Sequence, residues 1–138
     1  MANNIKIILD VNIWVSAFIS KKMEQQVQAI IFQDNVEIIA CNELLEELQQ
    51  TLQKSKLKKY LAPERAALAI ELVKQSATFI DLESTVELCR DNKDDYLLAL
   101  AKDACANFLL TGDNDLLVLK QFEQAQIIKL SDYVALRS

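Results

Sequence analysis

Ile5-Lys6-Ile7-Ile8-Leu9-Asp10-Val11-Asn12 is the stretch that decides the fold of this chain. Its short, nearly continuous apolar run is rich in β-branched residues, which is typical of a strand buried on both faces of a parallel sheet. The run ends abruptly in the carboxylate of Asp10. Because ligands in open α/β sheets bind just beyond the carboxyl ends of the strands, Asp10 occupies the position where this architecture places chemistry.

Strands and helices alternate along the rest of the chain. Later strands are expected at residues 36–40, 78–80, 107–110 and 126–128. Asn12 and Asn42 are predicted to cap the helices that follow the first two strands, and residues 116–122 are predicted to form a short helix. We therefore expect a single α/β domain over residues 1–138, a three-layer α/β/α sandwich around a mostly parallel sheet of about five strands.

The chain contains one Gly and one Pro, which argues for long helices joined by short connections. Gly112 follows the fourth predicted strand, where we expect a tight strand-to-helix turn to need an unhindered backbone. Trp14, Phe18 and Ile19 on the first helix fit either the core or an interface. The base rates for large apolar residues favour the core.

Composition also narrows the compartment and the chemistry. The net charge of −5 does not indicate a nucleic-acid binder, although a local basic stripe can still contact phosphates. Histidine is absent, which excludes imidazole acid–base catalysis and His-ligated zinc. The three Cys are widely spaced without a C-x-x-C motif, and no apolar run approaches the ~20 residues of a membrane span. We expect a cytoplasmic protein with reduced thiols and no membrane contact.

Acidic residues recur at positions that the predicted topology brings to one edge of the sheet. They are Asp10 at the end of the first strand, Glu47 in the helix after the second, Asp94 and Asp95 at the start of the helix before the fourth, and Asp113 and Asp115 after the fourth. Two carboxylates ~4 Å apart repel by roughly 4 kcal/mol at an effective dielectric near 20, so clustering requires compensation. Oxygen ligands alone select Mg²⁺ or Mn²⁺, and two such ions allow phosphodiester hydrolysis without histidine.

Each acid by itself also has a purely structural interpretation. Asp91 and Asp94 fit helix caps or first-turn acids stabilised by the helix dipole, and for either one alone we favour that interpretation. Asp115 fits the cap of the short helix that follows it. Asp10 is harder to explain this way, because a carboxylate that abuts an apolar strand is costly to desolvate without a partner. The prediction of a metal site therefore depends on the whole set.

Four segments of the chain resemble motifs of the PIN-domain family, in particular those of its single-domain toxins from bacterial and archaeal toxin–antitoxin systems. The segments are residues 8–17 (ILDVNIWVSA), 42–48 (NELLEEL), 89–101 (CRDNKDDYLLALA) and 110–117 (LTGDNDLL). Their joint order and spacing carry the resemblance, which covers nearly the whole chain. The chain departs from the family at Val11, where Thr is usual.

The resemblance implies a set of site residues. Asp10, Glu47, Asp95 and Asp113 would be the catalytic acids that bind Mg²⁺ or Mn²⁺, with Asp115 as a further metal ligand. Asn12 and Thr111 remain as polar groups able to orient a ligand carboxylate or a metal-bound water. The implied activity is endoribonuclease cleavage of single-stranded RNA, held inactive by a cognate antitoxin, and a homodimer is a further expectation of the family.

The one concentrated basic run offers a surface for the RNA backbone. Its members are Lys54, Lys56, Lys58 and Lys59. A solvated helix end, where cations offset the C-terminal dipole, explains the same run. These lysines are therefore candidates for substrate binding only.

Two other functions stay open at this point. A phosphatase-like domain with Asp10 as nucleophile lacks the usual second acid, since the residue two positions on is Asn12. The alternative outside catalysis is a silent PIN-like module that binds RNA or another protein, which the acidic charge balance favours mildly. Binding of Mg²⁺ or Mn²⁺ would separate the nuclease from this module.

Overall fold

A six-stranded sheet forms the centre of the computed structural model, which describes residues 4–88 and 92–137 apart from the side chains of Ser55 and Asn92. The strands are β1 Ile5–Leu9, β2 Val36–Ala40, β3 Ala77–Phe79, β4 Phe108–Leu110, β5 Gln121–Phe122 and β6 Ala125–Ile128. Their spatial order is β3-β2-β1-β4-β6-β5, and only the pairing of β5 with β6 is antiparallel. The expected mostly parallel α/β sheet is confirmed.

β1 is a central strand, as the sequence predicted. It pairs with β2 on one side and β4 on the other, and Ile7, Ile8 and Leu9 are fully buried. Burial of both faces explains why the run is apolar without alternation.

The helices are α1 Val11–Ile19, α2 Lys21–Ile31, α3 Asn42–Leu52, α4 Ser55–Lys58, α5 Pro63–Ser76, α6 Asp95–Ala104, α7 Asn114–Leu117 and α8 Leu130–Arg137. The chain moves from β1 to β3 in one direction along the sheet and then returns past β1 to β4. Since parallel crossovers are right-handed, α1 to α5 cover one face and α6 covers the other, which gives the three layers. The apolar residues of α6 are buried almost all round, as expected.

Some local predictions were wrong. Residues 116–122 do not form one helix, because α7 ends at Leu117 and Lys120 and Glu123 take the left-handed conformation, with φ of 63° and 53°. These two residues flank β5, which pairs with β6 in a hairpin and adds a sixth strand to the five expected. Asn42 is the first residue of α3 rather than its cap, and Cys41 holds the cap position without a side-chain hydrogen bond.

The first helix divides between the core and the surface. Trp14 is buried, Phe18 is half-buried and Ile19 is 38% exposed. The core prediction is thus confirmed for Trp14. Within the described ranges, no helix combines the length and apolar character that crossing a membrane requires.

The connection between β3 and α6 is fastened to the side of α6. Asp103 accepts hydrogen bonds from the backbone N–H of Glu83 at 2.7 Å, the backbone N–H of Ser84 at 2.9 Å and the Ser84 hydroxyl. The hydrogen bonds from Ser84 and Glu83 hold the pKa of Asp103 below its ordinary value. This contact holds residues 83 and 84 against α6.

Candidate metal centre

Asp10 lies where β1 ends and α1 begins, and it is only 3% exposed. Its backbone N–H donates to the carbonyl of Leu110 at 3.0 Å, and Thr111 Oγ1 donates to Asp10 Oδ2 at 2.6 Å. Burial raises the pKa of the Asp10 carboxyl, the Thr111 hydrogen bond opposes this rise, and the charge of Asp113 adds to it. Asp10 is therefore a desolvated carboxylate held in one orientation at the carboxyl edge of the sheet.

Thr111 connects Asp10 to the turn after β4. Its Oγ1 also accepts the backbone N–H of Asp113 at 3.0 Å, and Asp113 Oδ1 accepts the backbone N–H of Asp115 at 2.9 Å as the cap of α7. The expected need for glycine in this turn was wrong. Gly112 has no positive φ, and a Cβ at this position would meet nothing within 4 Å.

Asp94 is a member of the cluster that the sequence analysis expected at this edge but did not assign to the site, because it favoured a helix cap for Asp94 alone. It lies in a single 3-10 turn, Asn92–Asp94, directly before α6, and it is 9% exposed. Burial raises the pKa of Asp94 to about 8, and a hydrogen bond with the Asp113 carboxyl and the charges of Asp113, Asp10 and Glu47 act in the same direction. The pKa of Asp113 is lowered, first by its hydrogen bond with Asp94. The pair holds a proton at neutral pH.

The sequence analysis interpreted Asp94 as a helix cap, which is right for its position but wrong for its side chain. Asp94 occupies the cap position of α6, yet its side chain makes no cap hydrogen bond. The available signal was the pair of adjacent acids at the start of a buried helix, of which only Asp95 was assigned to the site.

Glu47 reaches the same region from α3. It is half-buried, and burial raises the pKa of its carboxyl. The Tyr96 hydroxyl lowers this pKa, the charge of Asp10 raises it, and the charges of Lys54 and Lys93 lower it. Glu47 therefore lies within electrostatic range of Asp10, as its position one turn into the helix predicted.

Asp95 and Asp115 lie beside this group. Asp95 is 7% exposed, and its Oδ1 accepts the backbone N–H of Leu88 at 3.2 Å. At least one of its oxygens is therefore hydrogen-bonded to the backbone before α6. Asp115 is partly exposed in the first turn of α7. The neighbouring Cys89, Arg90 and Asp91, which belong to the motif at residues 89–101, lie outside the described residues.

The structure thus brings together Asp10, Glu47, Asp94 and Asp113. Within residues 4–88 and 92–137, no three acidic or thiol side chains already stand at the spacing of a formed metal site. The donor chemistry nevertheless fits a hard divalent cation, since all the side chains offer oxygen and their mutual repulsion is relieved by a proton on Asp94. A cation would neutralise the same charge.

The polar and basic candidates divide between the site and other surfaces. Thr111 is buried beside Asp10, with only 1% of its surface exposed, whereas Asn12 is exposed on α1. The lysines do not form one stripe. The charge of Lys54 lowers the pKa of Glu47, whereas Lys58 lines a cavity between α3 and α5. Lys56 and Lys59 are exposed. Lys93, which the sequence analysis did not single out, also acts on Glu47.

Comparison with known proteins shows what this chain is similar to. A family model described as PIN domain matches residues 6–115. The uncharacterized protein MJ1680 of Methanocaldococcus jannaschii is 28% identical over 118 residues, which cover 84% of this chain and 76% of that protein. A crystal structure of VapBC2 from Rickettsia felis bound to a DNA fragment from their promoter aligns with a TM-score of 0.62 and 17% identity, over 89% of this chain and 97% of the other. At this identity the last similarity establishes a common fold.

Proposed function

Because the chain belongs to the PIN-domain family, we propose that it is an endoribonuclease that hydrolyses phosphodiester bonds of single-stranded RNA with the help of Mg²⁺ or Mn²⁺. PIN domains are generally nucleases, which gives the class of reaction. The observation that carries the proposal is the group of carboxyl groups at the carboxyl edge of the sheet, in which Asp10 and Asp94 are buried and Asp113 is half-buried. The charges of Asp113 and Glu47 act on this group, since both contribute to the raised pKa of Asp94.

In this proposal the acids hold the cation. Asp10, Glu47 and Asp113 are its principal ligands, Asp95 and Asp115 remain ligands expected from the resemblance, and Asp94 joins the set. A bound Mg²⁺ or Mn²⁺ supplies an activated water and neutralises charge on the phosphate. The chain itself orients the ligands, since Thr111 Oγ1 donates to the oxygen of Asp10 and fixes the turn that carries Asp113.

RNA binding is proposed for the basic side chains near this edge. The charge of Lys54 lowers the pKa of Glu47, and Lys54 is exposed, which supports a contact between its ammonium group and a phosphate next to the cation. Among the four lysines of the basic run, Lys58 is the poorest candidate, because it lines the cavity between α3 and α5.

Cleavage of a defined single-stranded RNA in the presence of Mn²⁺ tests the proposal. We expect the purified protein to cut the RNA and Asp10→Asn to lose at least about 100-fold in rate, because a buried metal ligand is removed. Asp34→Asn, a change at an exposed acid before β2, is the matched control and should keep wild-type activity. Equal activity of Asp10→Asn and the wild type would reject the assignment.

We also propose that the protein is the toxin of a toxin–antitoxin pair and acts in the cytoplasm. The fold that it shares with a VapBC toxin–antitoxin structure supports this role. An apolar groove between α1, α2 and α5 supports a protein partner, since Phe32, Leu68 and Leu72 on its walls are 78%, 58% and 44% exposed. Glu24 and Arg65 also line the groove and allow polar contacts beside an apolar segment of the antitoxin.

Substitution of Leu68 tests the groove. Leu68→Asp should prevent a co-expressed antitoxin from co-purifying, whereas Val118→Asp, at an exposed apolar residue outside the groove, should not. A homodimer of the isolated chain that Leu68→Asp dissociates would instead assign the groove to the dimer expected from the resemblance.

The second candidate is a silent module that binds RNA or protein without catalysis. The net charge of −5 favours it, since an acidic protein gains little from general attraction to phosphate. Failure of the wild-type protein to bind Mg²⁺ or Mn²⁺ at millimolar concentration would favour this module over the nuclease.

A further inference from the structure

The hydroxyl of Tyr96 is a buried polar group that the proposed function has not used. In the described part of the chain, Tyr96 Oη is a buried side-chain oxygen without a hydrogen-bond partner of normal geometry. Native proteins pair nearly all such groups, so an unpaired hydroxyl calls for an explanation.

Packing does not explain this hydroxyl. Tyr96 is the second residue of α6, directly after Asp94 and Asp95, and its side chain packs against the central hydrophobic core. A phenylalanine ring would make the same apolar contacts without burying an oxygen. The hydroxyl therefore adds nothing to the packing and has a cost in the isolated fold.

The surroundings of the hydroxyl identify its partner. Burial raises the pKa of Tyr96, and the carboxylate of Glu47 is the charged group that raises it most, ahead of Asp10 and Cys41. Cys41 is fully buried, which raises the pKa of its thiol to about 11 and keeps it protonated. Glu47 is thus the carboxylate near Tyr96 that is available to accept from its hydroxyl, which has no hydrogen-bond partner of standard geometry in the described residues.

We propose that Tyr96 is a positioning residue for Glu47, whose carboxylate it holds over the edge of the sheet by donating a hydrogen bond when a divalent cation is bound. The inference rests on the proposed metal-dependent function. A glutamate side chain has several rotatable bonds and loses this freedom when it ligates a cation. A hydroxyl on a packed aromatic ring is already fixed, so its hydrogen bond selects the productive orientation of the carboxylate.

The test compares the Tyr→Phe changes at Tyr96 and Tyr133. Tyr133 is the matched control, because it is fully buried and its hydroxyl donates to Gln33 Oε1 at 3.1 Å, a contact between α8 and the turn after α2. Tyr96→Phe should weaken Mn²⁺ binding, measured by calorimetry, by about tenfold or more, while its melting temperature without metal stays the same or rises. Tyr133→Phe should show the reverse, with unchanged Mn²⁺ affinity and a lower melting temperature.

Repeating the Tyr96→Phe change in the Glu47→Gln variant shows whether Tyr96 affects Mn²⁺ binding through Glu47 or through another group. In Glu47→Gln, adding Tyr96→Phe should cause no further loss of the rise in melting temperature that Mn²⁺ produces, because the carboxylate held by the hydroxyl is gone. An equal loss in both backgrounds would overturn the inference.

Failure of the inference differs from failure of the proposed function. If the wild type binds Mn²⁺ and Tyr96→Phe binds it equally well, Tyr96 does not position Glu47 and the inference alone falls. If the wild-type protein binds no Mn²⁺ at millimolar concentration, the metal-dependent function falls and takes the inference with it.

Discussion

The side chain of Thr111 joins two acids of the site through one hydroxyl, which donates to Asp10 and accepts the backbone N–H of Asp113. Thr111→Val keeps the shape of the side chain and removes both hydrogen bonds. Because all these groups are buried or half-buried, we expect the free energy of unfolding to fall by about 1–3 kcal/mol. Mn²⁺ affinity should also fall about tenfold, since the orientation of Asp10 is no longer fixed.

Urea unfolding and calorimetry measure these two effects. Thr78→Val on β3 is the control, because Thr78 is exposed and the same substitution there removes no buried hydrogen bond. Wild-type stability and wild-type Mn²⁺ affinity in Thr111→Val would show that the hydroxyl holds neither acid.

The carboxyl of Asp94 makes the metal-free protein sensitive to pH. Its pKa is raised by burial to about 8, so between pH 4 and pH 8 the native state holds a proton that the unfolded chain has lost. The proton on Asp94 therefore contributes fully to stability below pH 4, and this contribution is lost as the pH rises through about 8. Over this range the free energy of unfolding changes with a slope of up to about −1.4 kcal/mol per pH unit. The lowered pKa of Asp113 affects the free energy of unfolding only as the pH falls below 4, where its stabilising contribution is lost.

We therefore expect urea unfolding with a chelator to show stability decreasing from pH 5 to pH 8. Asp94→Asn should flatten this dependence, although burial also raises the pKa of Asp10 and Glu47 and leaves a residual slope of the same sign. Stability that increases over this range in the wild type would contradict the assignment of a shared proton to Asp94 and Asp113.

At the residue scale the sequence identified Asp10 more easily than Asp94. A carboxylate at the end of an apolar strand has no local explanation, so Asp10 pointed to a site. Asp94 has a sufficient local explanation as a helix cap, and its contact with Asp113 depends on how α6 and the turn after β4 are placed against each other. Sequence spacing does not contain that placement.

At the scale of elements, the register of β1 and β4 sets the site. Leu9 pairs with Leu110, so Asp10 and Thr111 emerge side by side from adjacent parallel strands. The order of strands and helices predicted this convergence, because parallel strands end at one edge. The β5–β6 hairpin escaped prediction, since Lys120 and Glu123 adopt positive φ without the glycine that usually signals such a turn.

The turn after β4 provides a test at this scale. Since Gly112 has no positive φ and its Cβ would have free space, Gly112→Ala should raise the free energy of unfolding by about 0.4–1 kcal/mol by restricting the unfolded chain. Thermal and urea unfolding measure the change, and Mn²⁺ affinity should be unaltered. A loss of stability would mean that the turn does require glycine.

At the scale of the molecule, an acidic protein that binds RNA must do so through local rather than overall charge, and this holds for the proposed RNA contact. Lys54 lies near Glu47, whereas Lys58 faces the cavity between α3 and α5. With a cleavage-resistant single-stranded oligonucleotide and Mn²⁺, Lys54→Gln should reduce the slope of log affinity against log salt by about 0.7, the value for one phosphate contact. Lys58→Gln is the control. Equal slopes for wild type and Lys54→Gln would exclude Lys54 from the RNA surface.

The groove between α1, α2 and α5 is also a property of the whole molecule. Trp14 and Phe18 face it in part, while Phe32, Leu68 and Leu72 come from other helices. The sequence left the first helix divided between core and interface, because one helix does not show which neighbours cover it. Only the packing of the three helices shows that apolar side chains of the groove are exposed to solvent.

A crystal structure of the protein soaked with Mn²⁺ tests the central claim most directly, since anomalous scattering locates the ion without reference to activity. We predict one or two Mn²⁺ peaks at the carboxyl edge of the sheet, ligated by Asp10 and Asp113 with Glu47 directed toward them. No peak at this edge in crystals soaked at tens of millimolar, or Mn²⁺ bound only away from Asp10, would contradict it.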